Sequence, residues 1–569
     1  MRYFALVTDF DGVVASAGRP SPAAVAAIER LRRSGRRAIL ITGRRLPDLL
    51  EAFPQHDLFN CIVAENGGVF YDPRTRQQIP LGPPPPPALV HRLRELGVEP
   101  LDVGSTIVAT WTPHHFAALQ AIHELGLELQ IVFNDQAVMI LPPGVNKASG
   151  MAYALRRLGL SQHEAVGVGD SQNDHSFLLR SECAATVANA VPSIREIAAT
   201  VASAENGDGL AELIDRLIAT DLADLRGRTP RNLLALGRLP DGTPLTVPPY
   251  GLNILIAGPS GSGKSTMTAG LIERLIDMEY QLCIIDPEGD YGTLPDVITI
   301  GNQNHAVGVN EAAAILEDPK INLNVNLLGI RLMDRPEFFG MFLPVLQGMR
   351  ARTGRPHWIV FDEAHHMLSS EWAPLPQTLP RSMGEIIFVT VHPEKLPPEV
   401  LSMIDVAIAV GPAPEQTMAA IATAIGRTLQ WPEGLTGQVG AAVVWFPRTA
   451  EPPQAVEIIP GTAERIRHHR KYAEGNLRDR SFYFRGPNNR HNLRAHNLMM
   501  FAHIAEGIDE ETWLFHLRRG DYSCWFRHCV KDSYLADQAE QIERRHDLHP
   551  DQTRRLLRRL IEARYSLPE

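Results

Sequence analysis

Cysteine is scarce in this 569-residue chain, and its few cysteines follow no regular spacing. They are odd in number and form no CxxC pair, and they lie at Cys61, Cys183, Cys283, Cys524 and Cys529. Disulfide frameworks and structural zinc sites depend on regularly spaced cysteines. The cysteine pattern therefore argues against both and indicates a reducing compartment.

Long apolar runs are also missing, and no stretch is long enough to span a bilayer. The strand-like run 4–7 follows Met1 closely, without the basic and then apolar segments that make a secretory leader. We therefore expect a soluble, cytoplasmic protein that does not bind membranes.

A strong net charge is absent as well, because 55 Lys and Arg stand against 65 Asp and Glu. The net charge of −10 does not indicate a polyanion-binding protein. From residue 461 onward, 20 basic residues face 16 acidic ones, and aromatics alternate with arginine at 482–487 and 513–526. These aromatics either stack on nucleic acid or form the core of a small helical domain. The basic excess is too small to favour nucleic acid, so we prefer the core, and the role of 461–569 stays open.

The length predicts two to four domains, since single cores rarely grow beyond about 250–300 residues. Short apolar runs alternate with amphipathic stretches at 4–8, 37–42, 61–64 and 165–169, and again at 253–257, 282–286, 358–362, 386–391 and 406–410. This alternation is typical of parallel α/β sheets. A five-proline run at 83–87 predicts a rigid spacer that is neither helix nor central strand, and a small inserted domain beyond it.

We therefore predict an α/β domain over 1–220, with its core at 1–80 and 142–220 and the inserted domain at about 81–141. A linker with a short β-rich lead-in follows at 221–250, rich in Gly and Pro. A second α/β domain covers 251–460, and a mainly helical domain covers 461–569.

Two aspartates end the first predicted strand, Asp9 and Asp11. A spacing of two places both on one side of the strand end, where ligands collect in open parallel sheets. Paired carboxylates raise each other's pKa and usually share a cation, and Mg²⁺ prefers such oxygen ligands. Other strand ends add a hydroxyl at Thr42, an ammonium at Lys147, and two acids at Asp170 and Asp174.

These four motifs, in this order, resemble the haloacid dehalogenase superfamily, specifically its Cof-type phosphatases with a C2 cap. The resemblance covers roughly residues 1–215 and implies a Rossmann-like core with an inserted α+β cap. It makes Asp9 the nucleophile that becomes an aspartyl-phosphate, and Asp11 the general acid and then base. Thr42 and Lys147 would hold phosphate oxygens.

The same resemblance implies a Mg²⁺ site made by Asp9, the Asp11 carbonyl, Asp170 and Asp174. Asn173 would orient the Asp9 loop, and the run 65–68 matches the loop where the cap departs. Within the cap, Trp111, His114 and His115 either line its face or pack internally, and packing is the preferred interpretation.

A second phosphate-binding pattern, GxxxxGK[ST], lies between a predicted strand and a predicted helix, which is the context it requires. Its backbone N–H groups would surround ATP phosphates at the positive end of the helix. The expected nucleotide-binding residues are Gly258, Ser260, Gly261, Ser262, Gly263, Lys264, Ser265 and Thr266. Ser265 and Asp362 would hold Mg²⁺, and Glu363 would polarise the attacking water.

The runs 285–291 and 362–365 resemble HerA–FtsK-type motor ATPases with a RecA-like domain, over about residues 235–460. The family often carries a Gln-Arg-Pro sensor segment, whereas this chain has Val391 and His392 at the Gln and Arg positions. Thr390 or His392 could replace the sensor, but sensing of the γ-phosphate by polar groups is weakened. ATP binding is therefore a firmer expectation than fast hydrolysis or translocation. The resemblance also implies a homo-oligomer, typically a hexamer, with an arginine acting between subunits; Arg381, Arg427 and Arg448 are the candidates.

Three functions follow. The leading one is a Mg²⁺-dependent phosphatase for a small phosphorylated metabolite, expected to be a sugar phosphate, fused to an ATP-binding module that oligomerises or regulates it. The alternative is a nucleic-acid translocase or end-processing machine. A third is a ring scaffold that uses ATP only to assemble.

Overall fold

The computed structural model describes residues 1–225, 233–292, 294–368, 384–436, 440–461, 477, 480–530, 532–545 and 547–565. They form two compact units. The first comprises Met1–Lys264, Arg274–Gly289 and Ile298–Ile459. The second comprises Ser265–Glu273, Asp290–Val297 and Pro460–Glu569. Among the described residues, no helix has both the length and the apolar character needed to cross a membrane.

Residues 1–225 contain fourteen strands and eight α-helices. The strands are β1 (Ala5–Asp9), β2 (Ala15–Ser16), β3 (Arg19–Pro20), β4 (Arg37–Ile41), β5 (Cys61–Ala64), β6 (Val69–Asp72), β7 (Gln77–Pro80), β8 (Asp102–Val103), β9 (Val108–Trp111), β10 (Gln130–Asn134), β11 (Ala137–Leu141), β12 (Ala165–Val168), β13 (Cys183–Thr186) and β14 (Thr200–Val201). The helices are α1 (Pro22–Arg33), α2 (Leu46–Ala52), α3 (Pro87–Glu95), α4 (His115–Glu124), α5 (Lys147–Arg157), α6 (His175–Arg180), α7 (Pro192–Ile197) and α8 (Asn206–Thr220).

An eight-stranded sheet is the centre of this domain, in the order β14-β13-β12-β1-β4-β5-β6-β7. Its central strands are parallel and buried on both faces: every position of β1 and β5 is buried, and most are apolar. Separate apolar clusters pack on the two faces. A four-stranded sheet in the order β10-β11-β9-β8, with α3 and α4, forms the inserted domain.

Two sequence expectations need correction here. The last proline of the 83–87 run is not spacer but the first residue of α3, a position where a missing N–H costs nothing. The chain also does not leave the core directly after 65–68, because β6 and β7 first extend the core sheet by an antiparallel hairpin.

The second α/β domain is built on an eleven-stranded sheet in the order β16-β15-β25-β24-β23-β17-β22-β21-β18-β20-β19. The strands are β15 (Leu234–Arg238), β16 (Pro244–Val247), β17 (Asn253–Ala257), β18 (Leu282–Asp286), β19 (Val297–Ile300), β20 (Asn322–Asn326), β21 (Trp358–Phe361), β22 (Ile386–Thr390), β23 (Val406–Val410), β24 (Ala441–Trp445) and β25 (Gln454–Glu457). The helices are α9 (Lys264–Asp277), α10 (Val309–Leu316), α11 (Arg335–Thr353), α12 (Pro398–Leu401) and α13 (Pro414–Ala424).

The strands β23, β17, β22, β21, β18 and β20 are parallel and buried. The stretch interpreted as a linker contributes more than a lead-in, because β15 and β16 extend the sheet antiparallel at one edge.

The C-terminal residues form a mainly helical domain with a small hairpin. Its elements are β26 (Phe482–Phe484), β27 (Leu493–Ala495), α14 (Leu498–Gly507), α15 (Glu510–Arg518), α16 (Asp521–Trp525), α17 (Ser533–Glu543) and α18 (Pro550–Tyr565). Phe484, Trp513 and Tyr522 are fully buried, Phe482 and Phe501 pack against them, and Trp525 packs on Phe501. The preferred interpretation of these aromatics as a core is therefore confirmed, and these rings are not available to stack on bases.

Candidate active sites

The first site lies where three neighbouring parallel strands end. Asp9 is the last residue of β1, Thr42 follows β4, and Asp170 lies two residues beyond β12. Because β1 lies between β4 and β12, the carboxyl ends of these strands meet at one edge of the sheet. The sheet order therefore brings together side chains that are far apart in sequence.

Lys147 lies in the middle of this site and is fully buried. Its ammonium donates to Asp9 Oδ1 at 2.8 Å and to Asp174 Oδ1 at 2.5 Å. Its position is fixed because α5 begins there: the Asn146 side chain caps the helix by accepting from the Ser149 N–H at 3.0 Å. A buried ammonium between two carboxylates can also contact the oxygens of a phosphate that approaches Asp9.

The carboxylates outnumber the cation. One oxygen from each of Asp9, Asp170 and Asp174 lies within 4.8 Å of the others, and all three residues are buried. When ionised, they carry three negative charges against the one positive charge of Lys147. Among the described residues, the buried Asp170 Oδ1 has no hydrogen-bond partner. The oxygen ligands and the excess of negative charge fit a divalent cation such as Mg²⁺.

The electrostatics of the site agree with this charge excess. Burial raises the pKa of Asp9 well above its ordinary value; Asp174 raises it further, while Lys147 opposes the shift. Burial, followed by Asp174, raises the pKa of Asp170 to about 7. A bound cation would lower both values and keep the carboxylates ionised.

Asp11 lies apart from these three carboxylates. Its side chain is 43% exposed and forms a two-point ion pair with Arg44, at 2.6 and 2.7 Å. Gly12, at φ 76°, turns the chain here, and a Cβ on it would lie 2.0 Å from Asp170 Oδ2. No sequence pattern pointed to Arg44; the structure places its guanidinium on the expected general acid.

Two further expected residues lie at the site's margin. Thr42 is buried, and its hydroxyl accepts from the Arg44 N–H at 3.2 Å. Asn173 donates to Asn66 Oδ1 at 3.2 Å, so its amide orients the 65–67 turn rather than making the expected contact with the Asp9 loop.

The same turn connects the core to the inserted domain, because the Glu65 carboxylate accepts from the N–H groups of Ser105 at 3.0 Å and Thr106 at 2.8 Å. The inserted domain also presents Trp111, which is 50% exposed. The preference for internal packing is therefore wrong for Trp111.

The second site lies at the corresponding edge of the larger sheet, where β17 leads through the glycine-rich loop into α9. Gly258 has a φ of 156°, and a Cβ on it would lie 2.0 Å from the Val410 carbonyl oxygen. The Lys264 ammonium donates to the Gly258 and Pro259 carbonyls, and Gly263 at φ 104° is the N-cap of α9. Among the described residues, the buried Ser262 hydroxyl has no partner. This loop fits a phosphate chain, while Ser265 and Thr266 follow in the first turn of α9.

Acidic groups end the neighbouring strands. Asp286 closes β18, is fully buried, and accepts from the Gly289 N–H at 2.7 Å. Asp362 follows β21 and is buried. Glu363 next to it has a left-handed backbone, with a φ of 42°, which a non-glycine residue adopts at some cost and most often at functional positions.

The altered sensor segment has a defined partner. The Thr390 hydroxyl at the end of β22 lies 3.1 Å from His365 Nδ1 and accepts from the His392 N–H at 3.0 Å. Burial, with help from the neighbouring cations, lowers the pKa of His365 to about 4, so its imidazole is neutral at pH 7. His392 itself is 46% exposed and pairs with Glu394. Both expected substitutes contact His365 next to Glu363: Thr390 through its hydroxyl, and His392 through an edge-to-face ring contact at a centroid distance of 5.3 Å.

The three candidates for an arginine acting between subunits lie as follows. Arg381 lies outside the described residues. Arg448 pairs with Asp405 at 3.0 Å, just before β23 begins, which is the end of that strand away from the glycine-rich loop. Arg427 lies just beyond α13.

We predict that the first unfolding transition in EDTA falls by ~5 °C as pH rises from 5 to 7.5. The raised pKa of Asp170 means that the folded protein holds a proton which the unfolded chain releases above about pH 4, so stability falls through this window. Asp170→Asn should reduce this slope in EDTA, leaving the part that the raised pKa of Asp9 contributes, and should remove most of the stabilisation by Mg²⁺. A slope and a Mg²⁺ response equal to wild type would contradict the carboxylate cluster as the metal site.

We further predict that Gly258→Ala weakens ATP binding by at least about tenfold, a loss of roughly 1.4 kcal/mol, because the added methyl meets the Val410 carbonyl. The measurement is titration calorimetry with ATP and Mg²⁺. Gly348→Ala in α11, where a Cβ meets only the far end of Arg352, is the matched control and should bind as wild type. Equal affinity for both variants would place the nucleotide elsewhere.

Comparisons with known proteins agree with the two sites. A family model described as haloacid dehalogenase-like hydrolase matches residues 119–214, and one described as Helicase HerA, central domain, matches residues 243–338. A phosphoglycolate phosphatase of Methanothermobacter thermautotrophicus is 27% identical over 220 residues, which cover 38% of this chain and 98% of that protein. One of Aeropyrum pernix is 30% identical over 220 residues, 37% of this chain and 91% of that protein.

A crystal structure of a haloacid dehalogenase-like hydrolase from Bacteroides thetaiotaomicron, 18% identical, matches 38% of this chain and all of its own, with a TM-score of 0.34. The relatives, and not this structural likeness, establish the family. The chain thus belongs to the haloacid dehalogenase-like hydrolases, as a phosphatase fused to a HerA-type central domain.

Proposed function

We propose that the N-terminal domain is a Mg²⁺-dependent phosphomonoester hydrolase that works through an aspartyl-phosphate on Asp9. The observation that carries the proposal is the buried cluster of Asp9, Asp170 and Asp174, in which Asp9 and Asp174 share the buried Lys147 ammonium. When bound, Mg²⁺ would supply positive charge to the phosphate oxygens and be held by these carboxylates with the Asp11 carbonyl.

The protein's own groups account for both half-reactions. An Asp9 oxygen attacks phosphorus, the ester P–O bond breaks, and Asp11 in its acid form gives its proton to the leaving oxygen. Water then attacks the phosphorus of the aspartyl-phosphate, Asp11 takes the water's proton, and phosphate leaves with Asp9 restored. Lys147 meets the phosphate charge, and Thr42 contributes a hydroxyl.

Arg44 adds a control on this cycle. Its two-point pair occupies both oxygens of Asp11, whereas the first step needs one of them to face the leaving oxygen. We infer that substrate binding draws Arg44 away from Asp11, so that Asp11 reaches the leaving oxygen only when the site is filled.

The substrate class is a small phosphorylated metabolite. The cap type indicates sugar phosphates as substrates. We add 2-phosphoglycolate as a candidate, because the relatives are named phosphoglycolate phosphatases.

The HerA-type domain is proposed to bind ATP with Mg²⁺ at Ser265 and Asp362, and to regulate or oligomerise the phosphatase. The translocase alternative is not favoured, because most of the C-terminal aromatics, among them Phe484, Trp513 and Tyr522, are buried.

We predict that Asp9→Asn lowers kcat by at least about a thousandfold toward 2-phosphoglycolate, a sugar phosphate panel and p-nitrophenyl phosphate with Mg²⁺, because the amide cannot form the intermediate. Asp215→Asn, an exposed aspartate on α8, is the matched control and should keep wild-type turnover. Turnover by Asp9→Asn equal to the control would eliminate the proposed mechanism.

For the nucleotide domain, Glu363→Gln should lower ATP hydrolysis by about 10²-fold or more while ATP affinity stays within about threefold. Steady-state phosphate release is measured in the Asp9→Asn background, so that the phosphatase does not contribute. The exposed Glu399→Gln provides the comparison. Hydrolysis unaffected by Glu363→Gln would indicate binding without this catalytic base, as in a scaffold.

A further inference from the structure

The phosphatase core and the HerA-type domain meet at the edges of their sheets opposite to the two sites. Residues that precede β12 and β13 on one side contact residues that precede β18, β20 and β21 on the other. In both sheets the site residues follow the strands. A phosphate therefore cannot pass directly between the sites, and any influence must travel along strands or helices.

His163 is the central side chain of this contact. Its Nδ1 lies 2.8 Å from a Glu182 carboxylate oxygen, and its Nε2 donates to the Met278 carbonyl at 2.9 Å. The ring is stacked on Tyr280 at a centroid distance of 3.7 Å.

Met278 is the C-cap of α9, the helix that begins at Lys264 of the glycine-rich loop. The helix is about 20 Å long at 1.5 Å per residue. His163 therefore donates to a carbonyl at the negative end of the same helix whose positive end faces the nucleotide phosphates. Movement of the loop end of α9 would reach His163 as movement of Met278.

On the phosphatase side, His163 lies two residues before β12, which leads to Asp170. The neighbouring Glu164 fixes the same point: it accepts from His357 Nε2, while His357 Nδ1 accepts from the Gln281 N–H at 2.7 Å. Burial lowers the pKa of His357, in agreement with this neutral ring. The start of the strand carrying the Asp170 loop is thus held by groups of the nucleotide-binding domain.

Resting on the proposed phosphatase and ATP-binding functions, we propose that His163 is a positioning residue that couples the two sites. It joins the end of the nucleotide-binding helix to the start of the strand that carries Asp170. Nucleotide in the glycine-rich loop thereby changes phosphatase turnover. Coupling between sites typically amounts to about 5–150-fold in binding affinity, and we expect an effect of this order on turnover.

The test measures kcat/KM for p-nitrophenyl phosphate with Mg²⁺ in the full-length protein, with and without saturating ADP. Wild type should change by about fivefold or more, and Lys264→Ala should show no change. In His163→Asn the ratio of kcat/KM with ADP to kcat/KM without ADP should be about one. This expectation does not depend on how fast the variant turns over without nucleotide. Arg156→Ala removes an exposed ion pair with Asp318 across the same contact, and should keep the wild-type ratio.

The outcomes separate the proposals. No hydrolysis by wild type defeats the proposed phosphatase. Hydrolysis with an ADP ratio of one, or an unchanged ratio in His163→Asn, defeats the coupling alone. An ADP effect that survives in Lys264→Ala would mean that ADP acts at the phosphatase site, and it also defeats the coupling.

Hydrogen exchange in the wild-type protein gives a second measurement that needs neither turnover nor a variant. ADP should slow amide exchange of residues 160–168 by about fivefold or more if His163 transmits its binding. Unchanged exchange there, with ADP bound, would overturn the proposal.

Discussion

The phosphatase site depends on the placement of a single ammonium inside a group of carboxylates. Lys147 is buried between Asp9 and Asp174, with Asp170 close by, and it cannot neutralise all three. Removing one partner of a buried ion pair typically costs about 3–5 kcal/mol, because a charge remains buried without compensation. The arrangement is therefore stable in its ionised form only when further positive charge is present. This need for further positive charge is why the site suits a divalent cation, which in turn attracts a phosphate.

The position of each site at the edge where parallel strands end explains why two phosphate-binding sites can lie in one chain without exchanging a phosphate. Each site occupies the edge where parallel strands end, because strand ends and helix starts provide side chains and free N–H groups. The opposite edges remain available for packing, and there the two domains meet through His163, Tyr280 and Glu164. Joining the domains in this way leaves both sites open to their own ligands.

The sequence predicted the parts of the fold that local pattern controls. The strand carrying Cys61 and the one preceding the glycine-rich loop have the bounds expected from their apolar runs. It did not predict that β6 and β7 extend the core sheet, because an exposed edge hairpin lacks a continuous apolar run. The pairing of Arg44 with Asp11 and the contacts of His163 were also out of reach. Both depend on which strand ends become neighbours, and that is a property of sheet order rather than of local sequence.

The most direct test of the charge argument is the position of the metal itself. In a crystal of the protein grown with Mn²⁺ in place of Mg²⁺, anomalous scattering should give a peak contacted by oxygens of Asp9 and Asp170 beside Lys147. A structure of the folded protein with Mn²⁺ in solution but no peak at these carboxylates would contradict the account.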